Sequence, residues 1–113
     1  MLDSESLDLI RHNIDKDLCH HFPNKIWNTS IYPQYIYYDE VKDIYLVKRY
    51  VFIITTTTKK DTKLIDAISD YLTIKYDLNL PIIDVDEYKY YVLNFTKITE
   101  EHLLSIEALL KLS

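Results

Sequence analysis

The chain has 113 residues, 48% of them hydrophobic and 13% aromatic, and carries a formal net charge of −5. That is one domain's worth of sequence with apolar content enough for a packed core, which excludes a disordered or fibrous chain. The negative balance disfavours general nucleic-acid binding, and the single cysteine, Cys19, excludes an intrachain disulfide and fits a reducing compartment.

The longest apolar run, Tyr50–Ile54, is far too short to span a bilayer, so no membrane contact is expected. Met1-Leu2-Asp3-Ser4-Glu5 lacks the basic start and apolar run of a signal peptide, and an intracellular, cytoplasmic protein is predicted. Glycine is absent, so turns and helix ends must use Asn, Asp, Pro or Lys, and a glycine-rich phosphate loop is excluded. No cofactor or metal is expected. Lysine outnumbers arginine, Ile, Tyr and Asn are abundant, and Ala is scarce. AT-rich codons encode that set, which suits a virus or mobile element, with host cytoplasm as the location if the source is viral.

In chain order, Leu7, Ile10, Ile14 and Leu18 recur at helical spacing and predict a first helix over Ser4–His21. Asp3 or Ser4 can cap its start, and Phe22-Pro23-Asn24 ends it. Residues 25–33 read as irregular and hold the only tryptophan, Trp27. Tyr35–Tyr38 reads as a short aromatic strand and Asp39–Asp43 as a polar break. Ile44–Thr57 reads as one bent strand rather than two, because Lys48-Arg49 is poor chemistry for a tight hairpin turn. Asp61 caps a second helix ending at Tyr76, with Ile68, Leu72 and Tyr76 on its apolar stripe. Pro81–Val85 reads as a strand, Asp86-Glu87 as a turn and Tyr88–Thr96 as a strand. Thr99 caps a last helix over Glu100–Leu112.

The order α-ββ(β)-α-ββ-α predicts a single α+β domain. Its expected form is a two-layer sandwich: an antiparallel four- to five-stranded sheet with three helices on one face. Asp39-Glu40-Val41-Lys42 and Asp86-Glu87-Tyr88-Lys89 share one pattern, each between two strands and ahead of a helix. They suggest a weak internal ββα repeat over 35–76 and 81–112.

Four groups of residues carry candidate chemistry. Glu-x-Lys entering a strand is half of a metal-dependent nuclease signature. In the second copy Glu87 and Lys89 have that spacing, and Asp84 could supply the third group. The plainer reading makes both tetrapeptides solvated hairpin turns. His12, Asp15 and Cys19 share a face of the first helix, where a zinc site or a nucleophilic cysteine competes with an ordinary polar face. Lys59, Lys60 and Lys63 at the start of the second helix could hold an anion, and with Lys48 and Arg49 they make a basic cluster over 48–63 that could meet nucleic acid. Against this, Thr55–Lys63 also reads as a strand end, a charged loop and a cap.

The tyrosines are the most distinctive feature. Tyr35, Tyr37 and Tyr38 flank the first copy, with Tyr35 and Tyr37 on one face of their strand; Tyr88, Tyr90 and Tyr91 flank the second. Three helices can cover one face of such a sheet, which leaves the other partly aromatic and suited to a surface that is dry when bound. The expected function is a small non-catalytic binding or accessory protein, an adaptor or inhibitor acting on a protein partner or as a homodimer. The alternatives are a nuclease using Asp84, Glu87 and Lys89, and a nucleic-acid binder using the basic cluster.

Overall fold

The computed structural model describes residues 2–57, 61–77 and 82–112; the side chains of Tyr35, Val47, Lys48, Ile83 and Leu112 lie outside that description. The elements are α1 (Ser4–His21), β1 (Ile26–Asp39), β2 (Ile44–Thr57), α2 (Thr62–Tyr76), β3 (Ile82–Glu87), β4 (Tyr91–Ile98) and α3 (Glu100–Leu112). The fold is α+β, as expected, with a four-stranded antiparallel sheet in the order β1-β2-β4-β3.

The helices begin where short polar side chains can satisfy their first amides. Asp3 accepts from the Ser6 amide at 2.7 Å, Asp61 from Leu64 at 3.1 Å, and Thr99 from His102 at 3.3 Å. The chain also shows how turns are made without glycine. Among the described residues, positive φ falls to Asn24, Asp43 and Asp77, the types whose short polar side chains best tolerate the left-handed region. Asn24 links α1 to β1, Asp43 lies in the β1–β2 turn, and Asp77 ends α2.

One apolar cluster joins the helices to the sheet. It contains Ile10, Ile14 and Leu18 of α1, Ile68, Leu72 and Tyr76 of α2, and Leu103 and Ile106 of α3. From the sheet it takes Ile26, Tyr50, Phe52, Ile54 and Ile98. In β2 these are alternate residues, so the pleat sends one set toward the helices and the other to the opposite side. Val51 is buried too, yet it stands outside this cluster.

Two sequence expectations need correcting. Residues 25–33 are not irregular: β1 starts at Ile26, and its pairing with β2 continues from Asn28 to Asp39 after one irregularity between Ile26 and Asn28. Asn28, Ser30 and Pro33 resemble loop residues, but β1 is an edge strand, where proline and polar side chains are tolerated. Asp86-Glu87 is not the second turn. β3 runs through Glu87, paired with Val92, and the Tyr88 amide donates to the Tyr91 carbonyl at 2.8 Å, which places Lys89 and Tyr90 at the tip. The single long strand expected over Ile44–Thr57 is present as β2.

Candidate binding face

β4 pairs with Tyr50–Thr57 of β2 and no further toward the β1–β2 turn. Among the described residues, Gln34–Asp39 and Ile44–Arg49 therefore pair only with each other and form a two-stranded arm beyond the four-stranded part. Five residue steps separate the Gln34/Arg49 pair from Asp39/Ile44, roughly 17 Å of ribbon. The Cα radius of gyration, 14.8 Å, exceeds the about 13 Å of a compact chain of this length, as such a projection requires.

The register assigns side chains to faces. Opposite the helices lie Tyr32 of β1, Val51 and Ile53 of β2, and Leu93 and Phe95 of β4. Val51 is buried, Ile53, Leu93 and Phe95 are half-buried, and Tyr32 is exposed. This apolar strip carries two aromatic groups. At the wide end, Trp27 lies 5.6 Å from the Tyr91 ring, and Tyr91 stacks on Tyr88 at 4.8 Å with 18° between planes. On the arm, Tyr38 and Tyr45 are cross-strand partners with rings 5.2 Å apart, beside Ile36. Tyr45 is 65% exposed and Val41, at the arm's tip, 96%.

The predicted tyrosines are thus divided. Tyr91 belongs to the open face, and Tyr88, just past β3, stacks on it. Tyr88 and Tyr90 do not share a strand face, because both precede β4 in the turn; Tyr90 is exposed, with the Lys89 ammonium 5.3 Å from its ring centre. Tyr37 is exposed on the arm but pairs with Leu46 on the side opposite Tyr38. Tyr35 has its backbone in β1, and its side chain lies outside the described residues. Sequence reasoning missed Trp27, Tyr32 and Tyr45, and it named Tyr38 beside the first copy without assigning it a face. Alternation of Tyr32, Gln34, Ile36 and Tyr38 carried the signal, hidden by the placement of β1's start.

The other candidate groups are not assembled. Asp84 pairs with Phe95 and Glu87 with Val92, an odd spacing that sends their side chains to opposite faces of β3. Lys89 is in the turn. In the first copy, Asp39 accepts from the Val41 and Lys42 amides at 3.0 and 3.2 Å, so that carboxylate shapes a turn. Lys59 and Lys60 lie outside the described residues, while Lys63 is exposed near the start of α2, whose Leu64 amide is occupied by Asp61. Arg49 lies in β2 and Lys63 in α2. On α1, Asp15 accepts from Thr29 Oγ1 at 3.0 Å and lies 3.9 Å from Cys19 Sγ. Burial and then Asp15 push the Cys19 thiol up, the reverse of what activates a nucleophile. Among the described residues, no group of three His, Cys, Asp or Glu side chains could hold a metal ion.

A recess of about 310 Å³ lies where α1, α2 and α3 meet, lined by Asn13, Asp17, Lys75, Tyr76, Leu109 and Leu110. Lys75 pairs with Asp17 at 2.7 Å, and the Tyr76 hydroxyl donates to the same carboxylate. Burial pushes Asp17 up, but the hydrogen bonds from Lys75 and Tyr76 outweigh it and hold the carboxyl below its usual range. These contacts fasten α2 to α1, aided by His21 stacked on Tyr71 at 4.3 Å.

No protein-family model, curated protein or solved structure matches the chain. Among the described residues, no helix is long and apolar enough to cross a membrane.

Proposed function

We propose that this chain is a small non-catalytic binding protein, an adaptor or inhibitor, that acts by protein–protein contact through the open face of its sheet. The observation that carries this reading is a sheet with all three helices in the core cluster of one side and aromatic and aliphatic residues on the other. Val51, Ile53, Leu93 and Phe95 form the apolar centre, and Trp27, Tyr91 and Tyr88 form a stacked rim beside it. Buried apolar centres with aromatic anchors are what protein interfaces use, since tyrosine and tryptophan give large contact area with few rotatable bonds. The separation of Asp84 from Glu87 supports binding over nuclease chemistry.

Affinity capture from the native host with the immobilised chain tests this. The double variant Trp27→Ala, Tyr88→Ala should lose a protein that the wild type retains through high-salt washing. Both side chains are about half exposed, so the fold should survive. A Glu87→Ala control should retain the partner. Equal capture by wild type and the aromatic double variant would remove the open face from the function.

A further inference from the structure

We infer that the arm of this protein pairs with the arm of a second copy, antiparallel and open face to open face, in a two-fold dimer. The inference rests on the reading of the open face as a contact surface and names the occupant of its narrow end. Ile36, Tyr38 and Tyr45 lie on that side of the arm and are 55%, 46% and 65% exposed. A two-stranded ribbon is at best marginally stable by itself, and one with this much exposed apolar surface gains most from cover.

Charge selects a second copy as that cover. The tip holds Asp39, Glu40 and Asp43 against one lysine, Lys42, and is net negative. The base holds Arg49, and Lys97, which pairs with Val51 on the same face, stands beside it. Acidic tip and basic base are thus roughly 17 Å apart on one ribbon. A two-fold axis through the middle of the arm, perpendicular to its strands, lays each tip over the other copy's base and brings opposite charges together at both ends. Ile36 then meets its counterpart near the axis, and Tyr38 and Tyr45 reach past it toward the other copy's base. A contact only two strands wide buries less than the ~800 Å² per partner of a standard interface, so the dimer is weak and reversible, with a Kd on the order of 1–100 µM.

Sedimentation equilibrium on the full chain, with charge-swapped variants, is the test. Wild type should pass from monomer to dimer with concentration, and added salt should weaken the dimer. Tyr45→Ser should raise Kd about tenfold or more with the thermal midpoint unchanged. A tip variant, Glu40→Lys with Asp43→Asn, and a base variant, Arg49→Glu with Lys97→Glu, should each be monomeric alone. Mixed, they should form a heterodimer, since each tip then meets a base of opposite charge. Recovery on mixing cannot come from misfolded variants. A wild type that stays monomeric to about 1 mM, or variants that fail to associate when mixed, would overturn the inference. Loss of host-partner capture by the Trp27, Tyr88 double variant would still stand in that event, so the two readings fail separately.

Discussion

The two hairpins carry the same Asp-Glu-x-Lys pattern and use it differently. In the β1–β2 hairpin the pattern is the turn: Asp39 closes the strand, its carboxylate binds the next amides, and Asp43 takes the left-handed conformation. In the β3–β4 hairpin Asp86 and Glu87 remain strand, paired with Leu93 and Val92, and the tip moves on to Lys89 and Tyr90. Local turn preference decides the first because nothing outside the ribbon pulls on it. Sheet pairing decides the second because β4 is held by β2 and its buried Val92, Asn94, Thr96 and Ile98. The same contrast separates the halves of β2. Tyr50–Thr57 is clamped between β1 and β4 with Phe52 and Ile54 fully buried, whereas Ile44–Arg49 has one neighbouring strand among the described residues. The same tetrapeptide pattern thus becomes different structures according to the support around it, and the less supported copy is the one free to serve a contact.

The largest expected effect tests that division within one strand. Phe52→Ala empties part of the core and should cost about 3–5 kcal/mol in chemical denaturation. Tyr45→Ser, on the same strand but in the arm, should stay within about 0.5 kcal/mol of wild type, measured below the dimerisation range. Similar losses at both positions would show the arm to be part of the folded core.

A middle-sized effect concerns α2, held to α1 by Asp17. Asp17→Asn should cost about 1–2 kcal/mol, a figure lowered because Lys75 is half exposed and partly screened. Because the folded carboxyl is depressed, its stabilisation is full above the ordinary carboxylate value and is lost as pH falls through the lower folded value. Acid titration of stability should therefore be shallower in Asp17→Asn than in wild type below about pH 4. Parallel acid limbs would contradict the pairing.

The smallest effect returns to the tetrapeptides. Asp39→Ala removes two amide acceptances and should destabilise the first turn by about 0.5–1 kcal/mol, seen as faster amide exchange confined to the arm. Asp86→Ala, exposed on a paired strand, should change exchange at its own turn little.

The sequence was legible where a local rule and the tertiary environment agree. The first two helices were readable from their stripes, the third from its Thr99 cap and early acids, and the caps Asp3 and Asp61 from capping chemistry. It misled where they disagree. Thr29 resembles a loop residue, yet it is buried, its hydroxyl held by Asp15 of α1, a partner invisible to any local window. Lys89-Tyr90 is poor turn chemistry and is the tip only because Asp86 and Glu87 are committed to β4. The presence of an aromatic open face was readable from tyrosine content and helix count. Its membership was not, because Trp27 and Tyr91 come together across β2 and the register decides which side Tyr37 and Tyr38 take.

The most direct measurement is amide hydrogen exchange by mass spectrometry at concentrations well below and well above dimerisation. Amides of residues 34–49 should slow at high concentration while those of α1 and α2 do not change. Equal exchange of the arm at both concentrations, or protection appearing in the helices instead, would contradict the pairing of the arm with the arm of a second copy.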